Sequence, residues 1–137
     1  MERTIEINGI ECRLKASAAI PRMYRIKFRR DIFVDMTKIA KQLEAHERYK
    51  KELKARCKKD GTQYEEPESE LPIETLEVFE NIAYLMHKHG DPSQPGSVDE
   101  WIEQFEMFNI YEVFPAILEL WGLDNLQLSK SKKNSEK

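Results

Sequence analysis

The chain has 137 residues, 40% of them hydrophobic, which suits one domain around one core; no apolar run approaches the ~20 residues of a membrane-spanning helix, and the opening Met-Glu-Arg-Thr-Ile-Glu lacks the basic and apolar regions of a signal peptide, so a cytosolic protein is predicted. Two cysteines, Cys12 and Cys57, without C-x-x-C spacing, predict free thiols in place of a disulfide framework or zinc site. The net charge of -3 conceals a basic half and an acidic half: residues 1–60 carry 17 Lys/Arg and 9 Asp/Glu, residues 61–128 carry Lys88 against 15 acidic residues, and 129–137 carry 4 Lys and one Glu. The basic excess is spread along the chain and not packed into one cluster, which favours halves that attract each other, or self-association, over a nucleic-acid surface.

Thr4 to Lys15 alternates apolar and polar residues on both sides of Asn8-Gly9, the dipeptide that best tolerates the positive φ angles of a type I′ turn, and predicts a β-hairpin over 4–15. A lone hairpin is marginal in water, so its Ile5, Ile7, Ile10, Cys12 and Leu14 must lie on helices or pair with another chain. Ser17 is placed to cap a helix with Pro21 in its first turn, along which Ile20, Met23, Tyr24 and Phe28 recur at helical spacing and Arg22, Arg25, Lys27, Arg29 and Arg30 form a basic outer face. Asp31 can start a second helix with the apolar stripe Ile32, Phe33, Met36, Ile39, Ala40 and Leu43. Beyond Leu43 the stripe thins to Tyr49 and Leu53, while Glu44/Arg48, Glu47/Lys51 and Glu52/Arg56 stand four apart in the stabilising order. The basic helices are thus predicted over 17–59, the second continuing as a solvated extension that Asp60-Gly61 ends.

Residues 61–71, with four Glu and Pro67, read as a flexible acidic linker. Acidic helices follow over 72–122. Pro72 opens the first, in which Leu76, Phe79, Ile82, Ala83 and Met86 share one face and Glu74, Glu77 and Glu80 the other, with Gly90 as its stop. Ser97-Val-Asp-Glu100 is a capping box and Asn109-Ile-Tyr-Glu112 an asparagine version of it. They divide the densest aromatic stretch, Trp101 to Trp121, into two helices with a tight break near Asn109. Trp101, Ile102 and Phe105 face the core from the first, and Ile110, Val113, Phe114, Ile117, Leu118 and Trp121 from the second, which Pro115 should kink and Gly122 end. Trp101, Phe105, Phe114, Leu118 and Trp121 form the predicted structural core. The expected fold is mainly α with a small N-terminal β-hairpin (α+β), a compact bundle of about five helices forming a single domain over 1–128, with a disordered polar tail at 129–137.

No catalytic, cofactor or metal site can be assembled. His87 and His89 are two apart on a helix and point to different faces; their place in the last turn suits cations at the negative end of the helix dipole. Asp31 and Asp35 are accounted for by capping and by pairing with Lys38. No Ser/His/Asp or Cys/His set, phosphate-cradling glycine loop or paired buried carboxylate is present, so no enzyme is predicted.

Three segments, Lys15 to Met36, Leu76 to Met86, and Asp99-Glu-Trp-Ile-Glu-Gln-Phe105 with Ile110-Tyr-Glu-Val113 and Leu118-Glu-Leu-Trp-Gly-Leu123, resemble the tail assembly chaperones of long-tailed phages and prophages of Gram-positive bacteria. They cover roughly half the chain in the family's order, and Phe-Arg-Arg-Asp31 and Trp-Gly-Leu123 are the specific phrases. Arg29 stands where many members carry Gly, and residues 45–70 have no firm counterpart. The resemblance implies a non-enzymatic protein of the bacterial host cytoplasm that coats the tape measure protein before the tail tube polymerises around it. It also implies a longer, frameshifted form whose added segment recruits tail tube protein; Lys132-Lys133-Asn134 is compatible with the A-rich codons such slippage uses.

The candidate partner-binding surface is the hairpin edge and the basic face of the first two helices, Arg22, Arg25, Arg29, Lys38 and Lys41, chosen for the charge asymmetry. The alternative is a small nucleic-acid-binding regulator using the same helices, which requires salt-sensitive DNA binding. The acidic C-terminal half and the lack of helix-turn-helix spacing disfavour it, and no membrane or cofactor is expected.

Overall fold

A computed structural model describes residues 1–67 and 71–123. Among them lie an antiparallel hairpin of β1 (Glu2–Ile7) and β2 (Ile10–Lys15) and five helices: α1 (Ala19–Phe28), α2 (Ile32–Asp60), α3 (Ile73–Gly90), α4 (Val98–Ile102) and α5 (Ile110–Trp121). The architecture is the expected one, mainly α with a small hairpin. The predicted tail, the Lys132-Lys133-Asn134 site and linker positions 68–70 lie outside the described residues.

Asn8 and Gly9 take φ of 51° and 82°, as the predicted hairpin turn demands, and set Ile7 opposite Ile10 and Ile5 opposite Cys12. The ladder begins at Glu2, two residues before the expected start. Met1 carbonyl accepts from Ala16 N–H at 2.7 Å and the Met1 amine donates to Ala16 carbonyl at 2.8 Å, so backbone pairing extends the strand through polar Glu2 and Arg3. Ile7, Cys12 and Leu14 are buried, β2 packing on α3 and β1 on α5. The hairpin is therefore seated within the domain, and its turn is tied down by Glu106 N–H donating to Asn8 Oδ1 at 3.2 Å.

α3 is the central helix, packed against β2, α1, α2, α4 and α5. This alters the expected two-faced reading. Leu76 is 36% exposed, whereas Tyr84, Leu85 and His87 join Phe79, Ile82, Ala83 and Met86 inside, so the helix is buried around its circumference from Ile82 to His87. Each large apolar side chain enclosed in this way contributes about 1.5–3 kcal/mol. Gly90 closes α3 without a left-handed φ; a Cβ there would stand 3.0 Å from Arg13 carbonyl carbon and 3.3 Å from Lys15 N, and would overlap Arg13 O. Its smallness lets the end of α3 touch the backbone of β2.

Trp101 is fully buried and meets Phe105, Phe108 and Tyr84 edge-on at ring centroids of 5.1, 5.2 and 5.7 Å. Its indole N–H donates to Nδ1 of His87 at 2.9 Å. His87 is thus a buried neutral acceptor and not the helix-end cation expected; burial lowers its pKa. His89 lies within 3.2 Å of Ser17 Oγ. Ser17 itself precedes the cap: Ala18 occupies that position, and Ser17 Oγ accepts from Ala19 N–H at 3.3 Å.

Both C-terminal caps are used, with Glu100 N–H donating to Ser97 Oγ at 3.2 Å and Tyr111 N–H to Asn109 Oδ1 at 2.9 Å. The break between the two helices is nevertheless not tight. α4 ends at Ile102 and α5 starts at Ile110, because Phe105 and Phe108 stack at 5.5 Å and Phe108 reaches Phe79 at 4.9 Å, drawing the connecting segment inward. α5 runs unbroken through solvent-facing Pro115 and ends at Gly122, φ 73°. Of the predicted core residues, Trp101, Phe105 and Phe114 are buried; Leu118 and Trp121 are only half-buried, and Leu120 takes an inner place instead.

α2 extends 29 residues to Asp60, capped by Gly61 at φ 72°. Its expected i,i+4 pairs do not close among the described residues. Lys50 instead reaches Glu47 at 3.8 Å and Glu66 at 2.7 Å, and Lys54 lies over the Tyr64 ring at 5.2 Å. Residues 62–67 of the expected flexible linker are thus fastened back along α2 by these contacts.

Candidate partner-binding surface

The corner between α1 and α2 is built by three local devices. Arg29 leaves α1 in the left-handed region, φ 58°, with its N–H on Arg25 carbonyl at 2.9 Å. This conformation costs a residue with a Cβ about 1–2 kcal/mol, and it falls where many members of the resembled family carry Gly. Asp31 then caps α2, Oδ1 accepting from Phe33 N–H at 2.9 Å and Val34 N–H at 3.3 Å. Lastly, buried Asp35 takes a fork from Arg30, Nε at 2.7 Å and Nη2 at 3.0 Å, and the Tyr24 hydroxyl at 2.6 Å.

Asp35 therefore pairs with Arg30, correcting the expected Lys38 partner, and Arg30 leaves the basic outer face to which its spacing assigned it. Burial opposes ionisation of Asp35, but the hydrogen bonds from Arg30 and Tyr24 and the guanidinium charge prevail and hold its pKa below the usual value. Tyr24 is raised by its own burial and by the carboxylate it serves. The adjoining cavity, lined by Arg30, Asp35, Glu74 and Thr75 among others, holds about 10 Å³, room for one water and no substrate.

With Ile32, Asp35, Met36, Ile39 and Ala40 turned inward, Phe33, Val34, Thr37, Lys38 and Lys41 share the outward side of α2. They line an open groove of about 440 Å³. Phe33 and Val34 are 42% and 63% exposed. Phe33 is held by the edge of Trp121, centroids 5.5 Å apart, and Trp121 N–H points to Met86 Sδ at 3.4 Å. Phe33, one of the two apolar residues of the floor, is thus braced by Trp121, while Val34 projects into solvent.

All five predicted binding residues are exposed, in two groups. Lys38 and Lys41 line the groove; Arg22, Arg25 and Arg29 share one side of α1 with exposed Ile26. None of the five forms an ion pair with another described residue, whereas Arg3–Glu119 at 2.6 Å, Arg30–Glu74 at 3.4 Å and Lys50–Glu66 at 2.7 Å join the basic half to the acidic half. Helical spacing places Phe33 in the buried stripe, so that pattern alone hides the groove floor. Ile32-Phe33-Val34 carried the signal: three successive helical residues span about 200°, too wide for one core-facing stripe.

Among the described residues no cluster of His, Cys, Asp or Glu could hold a metal ion, and no helix is long and apolar enough to cross a membrane. Comparisons with protein-family models, with curated proteins and with solved structures return no match for this chain.

Proposed function

We propose that this chain is a non-enzymatic tail assembly chaperone of a phage or prophage of Gram-positive bacteria. It works in the host cytoplasm, covering apolar helical faces of the tape measure protein until the tail tube closes around it, and a frameshifted longer form recruits tube subunits. The observation that carries the reading is the open groove of α2, whose apolar floor lies beside Lys38 and Lys41, two cations without an ion-pair partner among the described residues. A long helical partner with apolar faces needs a binder of this kind, one that shields those faces reversibly. Further support comes from the resembling segments, which coincide with the α1–α2 corner, the central helix and the Trp101 cluster.

Co-expression with the long helical product encoded beside this gene, followed by sizing of the complex, tests the proposal. Reversing Arg22, Arg25, Arg29, Lys38 and Lys41 together should abolish co-purification; unchanged recovery would refute the assigned surface. The nucleic-acid reading requires salt-sensitive retention on duplex DNA that the same reversal removes. It is less favoured, because an exposed Phe and Val beside the two lysines offer nothing to a phosphate backbone.

A further inference from the structure

The reading of this face as a partner site leaves open what chemistry the partner must present, and the groove narrows it. We infer that the groove binds an acidic amphipathic helix, one that places a bulky apolar side chain on Phe33 and Val34 and a carboxylate against Lys38 and Lys41. This inference rests on the proposed function only in naming the face as a partner site.

Phe33 to Lys41 spans nine residues of α2, about 12 Å of helix, which matches roughly two turns of a partner helix laid alongside. On such a helix, residues three or four apart stand on one face, so an apolar anchor and an Asp or Glu one turn away would meet the floor and the lysines together. The lysines are open to this role. Nearby Asp31 is engaged in capping α2, and Asp35 is buried and bound to Arg30 and Tyr24; Asp35 attracts Lys38 through space, but neither carboxylate forms an ion pair with Lys38 or Lys41. A basic helix would be repelled at the same place. Rigidity adds to the case: Phe33 is braced by Trp121, so little ordering opposes binding.

The test uses the full chain, isotope-labelled, with two synthetic helical peptides as probes. Both carry the same leucine face; one has Glu and the other Lys at every position three or four residues from a leucine. Amide shifts read by NMR should map the Glu peptide to residues 33–41 and Trp121, with at least tenfold weaker binding of the Lys peptide. Val34→Glu, at a solvent-exposed position, should weaken the Glu peptide at least tenfold while leaving the remaining spectrum in place, and K38E/K41E should invert the preference between the peptides. Equal binding of both peptides, shifts mapping elsewhere, or binding unaffected by V34E would each overturn the inference. So would concentration-dependent self-association of the chain alone that V34E abolishes, since the occupant would then be a second copy. Peptide binding without co-purification of the tape measure protein would leave the groove's chemistry standing and refute the proposed function. Co-purification without peptide binding would do the reverse.

Discussion

Replacing Gly90 by alanine sets two effects against each other. Inside a helix alanine is favoured over glycine by about 1 kcal/mol, and Gly90 has no left-handed φ to protect, so α3 considered alone would gain. The new Cβ, however, would lie 3.0 Å from Arg13 carbonyl carbon and 3.3 Å from Lys15 N, and inside contact with Arg13 O. All three atoms are backbone, in a strand held between β1 and α3, so no side-chain rotation relieves the overlap. Relief requires parting β2 from the end of α3, which loosens the packing of Cys12 and Leu14, 0% and 1% exposed. Overpacking of this kind costs about 1–3 kcal/mol and more where backbone must move, enough to outweigh the propensity gain at a terminal helical position. Each net kcal/mol should lower Tm by about 3–5 °C in a chain of this size. Thermal unfolding followed by circular dichroism should therefore show G90A melting several degrees below the parent. Gly96→Ala, with nothing within 4 Å of its Cβ, should stay within about 0.5 kcal/mol of it. A G90A melting point equal to or above the parent's would refute the close crossing of α3 and β2.

Asp35→Ala removes the acceptor of buried Tyr24 O–H and the partner of Arg30, and should cost about 2–4 kcal/mol in denaturant unfolding. Because the folded pKa of Asp35 is lowered, its contribution is complete above the usual carboxylate pKa of about 3.9 and fades as pH falls below it; Asp35→Asn should flatten that acid limb of the stability curve. His87 titrates below its usual value because it is buried, so from about pH 6.5 downward the unfolded chain binds a proton that the native state refuses. Stability should fall over that window by at most about 1.4 kcal/mol per pH unit, and His87→Gln should lose this dependence. Burial raises the Cys12 thiol to about 11, so a thiol reagent at mildly alkaline pH should label half-exposed Cys57 first and Cys12 only on unfolding. Arg29→Gly should relieve the left-handed strain and add about 0.5–1 kcal/mol of stability, read as a raised midpoint in denaturant unfolding.

The elements whose signals are local were readable from the sequence. Asn8-Gly9, Asp31, Asn109 and Gly122 each act through their own backbone neighbourhood, and each does what its residue type predicts. Misreadings came where tertiary contacts decide. The six-residue run Ile82 to His87 carries no charged side chain apart from a titratable histidine, yet single-stripe patterning hid that five elements surround it. Spacing within their own helices does not reveal the partners of His87 and Asp35, because Trp101 and Arg30 reach them from α4 and the α1–α2 corner. For the same reason the basic face was legible as a set of charges but not as a groove: Phe33 becomes surface only because Ile32, Met36 and Ile39 already fill the inner side of α2.

The charge asymmetry now divides into two parts. Arg3–Glu119, Arg30–Glu74 and Lys50–Glu66 spend some of it between the halves of the chain. Exposed pairs of this kind contribute at most about 1 kcal/mol each, far less than burying α3, so attraction between the halves orients the fold without maintaining it. Arg22, Arg25, Arg29, Lys38 and Lys41 take no part in those pairs, and no buried group among the described residues hydrogen-bonds to their side chains. Reversal exchanges one set of like charges for another at exposed positions, so repulsion within the set is unchanged; it costs only the through-space attraction of Lys38 for Asp35 and of Arg25 for the end of α1, and should leave the fold intact. A loss of binding in the reversed variants can then be read as loss of the surface itself, because the core that positions it, from Tyr24 and Met36 to Trp101, does not contain any of the five.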